Sequence, residues 1–188
     1  MRTRVAVAAL ALAVMGAGAL AQTHKQVRTG HAQPYAGHQG RGVSSLSAED
    51  MQGFLDGRGM GLAKPAELNG YPGPMHVLEL ADDLELTAEQ REHVRGVFDR
   101  MKVSATSLGA RYVAAEKAVD EAFKSGGADQ ATIAARVAEA NRLLGEVRLS
   151  HLTAHLEITP LLTAEQRQRY AELRGYGSSD HSQHRHKH

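Results

Sequence analysis

Two long segments of this 188-residue chain repeat apolar side chains at alternating steps of four and three residues. The pattern runs from Val94 to Ala122 in the first segment and from Ile133 to Ile158 in the second. This spacing places the apolar side chains on one stripe of an α-helix, and a stripe sustained over about four heptads needs a partner helix. Because a short Ser-Gly-Gly break at 125–127 separates the segments, the sequence predicts an all-α fold, a long antiparallel helical hairpin with short flanking helices.

Helix-start signals stand at both ends of the predicted hairpin. The pentapeptide Leu-Thr-Ala-Glu-Gln occurs at 86–90, before the first long helix, and again at 162–166, where it opens a last helix over 163–173. In each copy the threonine hydroxyl can accept a hydrogen bond from the glutamine backbone N–H while the glutamine side chain reaches back, which is a capping box. The motif residues are Leu86, Thr87, Gln90, Leu162, Thr163 and Gln166.

Two shorter helices are predicted before the hairpin. Ser47 is a typical N-cap for a short helix that stops at Gly57 or Gly59. Pro74 is a typical first residue for a second short helix over 75–84. The Gly- and Pro-rich stretch between them predicts a structured loop.

The two identical pentapeptides lie 76 residues apart and bracket the hairpin. In this arrangement the chain resembles the LTxxQ-motif family of bacterial periplasmic proteins, which includes Spy, CpxP, ZraP and CnrX. The resemblance covers about residues 75–176, whereas residues 57–74 are not part of the Spy pattern and resemble uncharacterised branches of the family. It implies a helical hairpin with short end helices that commonly pairs into a curved homodimer, and a role as an ATP-independent chaperone.

The first 21 residues are typical of a secretory signal peptide. Arg2 and Arg4 precede an apolar run at 5–14, and Ala-Leu-Ala at 19–21 matches a cleavage site. We therefore expect export to the periplasm with cleavage after Ala21; an uncleaved anchor is the alternative, although the apolar stretch is short for a membrane span. A second apolar segment of spanning length is missing from the sequence, so stable membrane insertion is not expected.

Composition divides the mature chain and excludes several functions. Cysteine is absent, which excludes disulfides, thiolate metal sites and a cysteine nucleophile. Lys and Arg number 22 against 21 Asp and Glu, a balance that does not favour nucleic-acid binding. Known catalytic motifs are also missing, so an enzyme is not expected.

The predicted parts of the mature chain are a flexible His-, Gly- and Gln-rich arm at 22–45, a short helix and loop at 46–74, a helical domain at 75–176 and a His-rich tail at 177–188.

Histidines supply the candidate metal ligands. His151 and His155 stand four residues apart on one helical face, where two imidazoles can chelate Zn²⁺, Ni²⁺ or Cu²⁺. In the predicted hairpin His93 lies near the same end, and it is the candidate third ligand. The competing interpretation is that His151 is a neutral interior histidine with His155 beside it. No cofactor is required by the fold. Further candidate ligands in the tail are His181, His184, His186 and His188.

An apolar stripe late in the second long helix is the candidate surface for binding unfolded clients. These side chains would contact clients, or would instead be buried against the end helices or a second subunit. The candidate residues are Met101, Leu149, Leu152 and Leu156.

Three functions are consistent with these features. The first is a Spy/CpxP-like stress protein of the periplasm that binds unfolded or partly folded envelope proteins. The second is a periplasmic heavy-metal sensor or buffer. The third is a structural dimer that modulates the periplasmic domain of a sensor kinase.

Overall fold

The computed structural model describes residues 33–176, and these residues form helices and turns with no strand among them. The two longest helices, α4 (Ala88–Lys124) and α5 (Gln130–Ile158), are joined by a turn at 125–129 and pack against each other. The predicted all-α hairpin with short flanking helices is therefore confirmed. Among the described helices, none is both long and apolar enough to cross a membrane. The helices are α1 (Ala48–Leu55), α2 (Lys64–Glu67), α3 (Pro74–Glu79), α4 (Ala88–Lys124), α5 (Gln130–Ile158) and α6 (Ala164–Leu173), with short 3-10 turns at His38–Gly40 and Thr159–Leu161.

The antiparallel register brings the start of α4 beside the end of α5. Arg100 and Glu157 form an ion pair of 2.9 Å between the two helices. Most of the predicted apolar stripe is buried, but Val137 is exposed and Leu143 replaces Leu144 as the buried leucine. A straight helix drifts by about 20° per heptad, which turns Val137 away from the partner helix.

Two apolar clusters form the core. One lies where the ends of the hairpin meet α3 and α6, and the other packs α1 and the segment before it against the middle of the hairpin. Val43, inside the predicted flexible arm, is only 2% exposed in the second cluster, so the arm does not extend to residue 45. The first cluster includes Val77, Leu84, Leu86, Val94, Val97, Ile158, Leu162 and Tyr170, and the second includes Val43, Leu46, Phe54, Tyr112, Leu143 and Val147.

The predicted helix boundaries agree closely with the structure. Ser47 caps α1 through a capping box with Asp50, and Pro74 is the first residue of α3. The third helix ends at Glu79 rather than near residue 84, because the chain must turn into the first pentapeptide, with Glu85 at a positive φ of 50°.

Both pentapeptides form the predicted capping boxes. The Thr87 hydroxyl accepts from the Gln90 backbone N–H at 3.1 Å, and the Gln90 side-chain oxygen accepts from the Thr87 N–H at 3.0 Å. Thr163 and Gln166 repeat this arrangement at 3.2 and 2.9 Å. The two helix starts therefore have the same local geometry.

The two glutamine side chains also bind each other. Gln90 donates from Nε2 to Gln166 Oε1 at 2.9 Å, and Gln166 donates back to Gln90 Oε1 at 3.1 Å. The second donor of each amide reaches a backbone carbonyl beside the other motif, that of Leu161 at 2.8 Å and that of Leu84 at 3.2 Å. A glutamate could form the cap but could not donate, so this pairing requires an amide at both positions.

We expect Gln166→Glu to lower the free energy of unfolding by about 1–3 kcal/mol at neutral pH, because it replaces two donated hydrogen bonds by facing acceptor oxygens. Urea denaturation would measure this change. Gln168→Glu, at an exposed position of α6, is the control and should change the free energy by only a few tenths of a kcal/mol, about the effect of one surface pair. Equal stability of Gln166→Glu and the wild type would contradict the role of the pair.

A close approach between α1 and α4 depends on Gly109. A Cβ atom at this position would lie 2.1 Å from the backbone oxygen of Phe54, at the end of α1. A Cβ atom added at Gly145 in α5 would have no neighbour within 4 Å.

Gly109→Ala should therefore destabilise the fold by about 1–3 kcal/mol through overpacking against the backbone. Gly145→Ala, its matched control, should stabilise the fold by up to about 1 kcal/mol because alanine favours the helix. Thermal unfolding of the two variants would test this. Similar melting temperatures would show that α1 can shift away without cost.

Candidate functional site

The histidine pair of α5 lies in a cavity of about 450 Å³. His151 and His155 are only 4% and 7% exposed, and both line this cavity. The hairpin helices form its floor, and residues 57–76 cover it; we call this covering segment the roof. Apolar side chains make up most of the wall, namely Met60, Ala63, Pro74, Met75, Phe98 and Met101.

Glycines let the roof approach the hairpin. Gly57 has a φ of 59°, and a Cβ atom there would lie 2.6 Å from Thr106 Oγ1 in α4. Gly73 lies against His155, with a Cβ position 3.1 Å from the imidazole Cε1. Met60 also adopts a positive φ of 48°, which is unfavourable for a side chain with a Cβ atom. The Gly- and Pro-rich segment is thus a close-fitting cover.

His155 is held by the roof. Its Nδ1 lies 2.7 Å from the carbonyl oxygen of Tyr71. Because a carbonyl can only accept, Nδ1 carries a proton and donates this bond. The Glu67 carboxylate lies 3.8 Å from the same nitrogen.

Glu67 is the centre of a half-buried polar group beside the histidines. The Tyr170 hydroxyl donates to Glu67 Oε1 at 2.5 Å and accepts from the Gly73 N–H at 3.3 Å. Burial raises the pKa of the Tyr170 hydroxyl well above its ordinary value, and the bond to Glu67 acts in the same direction. Arg174 Nε lies 3.5 Å from Glu67 Oε1. The tyrosine therefore remains a proton donor at neutral pH.

His151 has a buried nitrogen without a partner. Its Nε2 forms no hydrogen bond, and leaving such an atom unsatisfied costs about 1–3 kcal/mol. Burial lowers the pKa of His151 below its ordinary value, and the neighbouring His155 and Lys102 lower it further. His151 is therefore a neutral interior histidine in this fold.

The candidate metal ligands are only partly brought together. His93 is exposed on α4 and is not among the cavity residues. Within residues 33–176, there is no group of three or more histidine, aspartate or glutamate side chains arranged to hold a metal ion. The zinc, nickel or copper site stays a prediction, and its tail ligands His181, His184, His186 and His188 lie outside the described residues.

The candidate client-binding residues separate into two environments. Leu149 and Leu156 are 62% and 60% exposed on one face of α5, with the half-buried Leu152 between them. Burial of these two leucines against the end helices, which the sequence left open, does not occur. Met101 instead packs against the first core cluster and lines the cavity.

Sequence reasoning missed Glu67, Tyr170 and Arg174. Glu67 lies in α2, about a hundred positions before Tyr170 in α6 and Arg174 at its end, so no helical spacing connects it with them. The density of Gly and Pro at 57–74 was the available signal that this segment follows a fixed path.

Comparison of the chain with models of known protein families, with curated proteins and with solved structures gives no match.

His151 should make the stability depend on pH. Because its pKa is lower in the folded chain than in the unfolded chain, the unfolded state binds more protons below about pH 6.5, and stability should fall as the pH decreases from there. Above that pH the contribution is complete and constant. Denaturation series from about pH 7.5 to 5 would measure this slope.

The non-titrating variant His151→Gln should show a shallower loss of stability on acidification than the wild type. His93→Gln, on the exposed face of α4, is the control and should follow the wild-type slope. Parallel curves for the wild type and His151→Gln would contradict a buried neutral imidazole.

Proposed function

We propose that the protein binds unfolded or partly folded envelope proteins in the periplasm, as an ATP-independent chaperone or stress modulator of the Spy/CpxP type. The observation that supports this proposal is the face of α5 formed by Leu149, Leu152 and Leu156, which we call the leucine face. Two of its three leucines expose more than half of their surface. Large apolar side chains exposed in a row on one helix are typical of interaction surfaces.

The size of the leucine face suits weak and reversible binding. Full burial of one leucine contributes about 1.5–3 kcal/mol, so a few of them give limited affinity after the entropy of binding is subtracted. Such a surface releases clients without an energy source. It also favours apolar segments in general over one defined sequence.

Charges of both signs surround this face. Arg148 is next to Leu149 in the chain, and Glu157, next to Leu156, is paired with Arg100. Balanced charges keep the exposed leucines in solution and do not select clients by net charge. The predicted signal peptide and homodimer are consistent with this function and are part of the proposal.

Aggregation of an unfolding client in the presence of the mature chain, residues 22–188, tests the proposal. After metal chelation the wild type should suppress light scattering, and the double variant Leu149→Ser/Leu156→Ser should suppress it less, because the leucine face is lost. Val103→Ser removes an exposed apolar residue of α4 and should protect like the wild type. No protection by the wild type would overturn the proposed function. Full protection by the double variant would overturn the proposed role of the leucine face in binding clients.

A metal-dependent function is the second candidate, favoured by the two imidazoles in one cavity. The same assay with added zinc distinguishes the candidates. Protection in the zinc arm alone, abolished by His151→Gln, would support a metal-gated protein. Modulation of a sensor kinase is the third candidate and requires binding to its periplasmic domain instead.

A further inference from the structure

We propose that the roofed cavity binds a small amphipathic carboxylate, chemically a medium-chain fatty acid, with its tail against the methionines and its carboxylate beside Arg174. This inference goes beyond the proposed polypeptide binding, because it uses the roofed cavity and not the leucine face. Its success or failure leaves the aggregation assay unaffected.

The size and wall of the cavity fit an apolar tail. Its volume of about 450 Å³ lies in the range of roughly 300–1,000 Å³ for small-molecule sites. Met60, Met75 and Met101 line it together with Phe98, and the remaining methionine of residues 33–176, Met51, does not. Methionine side chains adapt to flexible apolar ligands.

The polar atoms that lack partners lie at this cavity. Within the described part of the chain, the buried side-chain atoms without a hydrogen bond are His151 Nε2 and Arg174 Nε, and both residues line the cavity. An arginine Nε can only donate. Although Glu67 Oε1 lies 3.5 Å away, it forms no hydrogen bond with this donor. A carboxylate that entered the cavity beside Arg174 would supply an acceptor for this arginine.

The charges of the lining select an anion. Arg58, Lys64, Lys102 and Arg174 line the cavity with one carboxylate, that of Glu67, which lies 3.5 Å from Arg174, while Arg58 is paired with Asp56 at 3.7 Å. Neither lysine forms an ion pair with another residue of 33–176; Lys102 donates instead to the backbone oxygen of Asp56. This excess positive charge disfavours a metal cation and stabilises a carboxylate.

The cavity opens to solvent at the roof. Met75 and Lys64 line it and are also exposed, so an apolar and a cationic side chain meet at the opening. Most of the exposed wall is apolar, which suits a ligand with a single polar end.

Calorimetric titration of the mature chain with decanoate, below its micelle concentration, tests the proposal. We expect one saturable site per chain. Decanol has the same tail without the charge and should bind about tenfold more weakly or worse. Equal binding of decanol, or absence of decanoate binding, would overturn the proposal. Vesicles of an anionic phospholipid form a third arm, and binding to these vesicles alone would show a lipid surface as the ligand.

Variants and methyl spectra locate the site. Arg174→Gln should weaken decanoate binding about tenfold or more, whereas Arg169→Gln, which removes an exposed charge from α6, should not. In methionine-methyl NMR spectra, decanoate should shift the signals of Met60, Met75 and Met101 and leave Met51 in place. Unchanged binding by Arg174→Gln, or an equal shift of Met51, would place the ligand elsewhere.

Discussion

The reciprocal amide pair of Gln90 and Gln166 holds the open end of the hairpin together. A helical hairpin is joined covalently only at its turn, so its other end needs a separate connection. Here the connection is made by the same two side chains that start α4 and α6, and each amide also binds the backbone before the opposite motif. Two local helix signals thus become one tertiary contact. The positions of α3 and α6, and of everything that rests on them, follow from it.

The cavity depends indirectly on the amide pair of Gln90 and Gln166. Tyr170 in α6 contacts both Glu67 and Gly73 in the roof, so the helix that Gln166 starts also positions the cover over the histidines. The leucine face lies on the exposed side of α5 and uses different residues. The chain therefore presents two separate surfaces, the apolar leucine face and a roofed cavity with an apolar wall and several cationic side chains.

The sequence allowed the hairpin and the caps to be predicted, because each is a local pattern, and it located the leucine stripe without deciding whether that stripe is exposed. Apolar spacing identifies a helix face, and Thr87 with Gln90 identifies a helix start. The histidine pair was found for the same reason. The group around Glu67 was not found from the sequence, because its members meet only after the roof has folded back across the hairpin. No regular sequence spacing connects positions so far apart. Val43 was missed because a single apolar residue in a polar segment carries little signal.

The bond between Tyr71 and His155 has a dynamic consequence. The roof is tied to the hairpin through this bond and to α6 through the Tyr170 contacts, while Met60 and Leu62 pack against the second core cluster. Segments with few such ties open locally at a smaller free energy than the whole fold. Local opening of the roof would break the bond between Tyr71 and His155 and expose the two histidines while α4 and α5 stay paired.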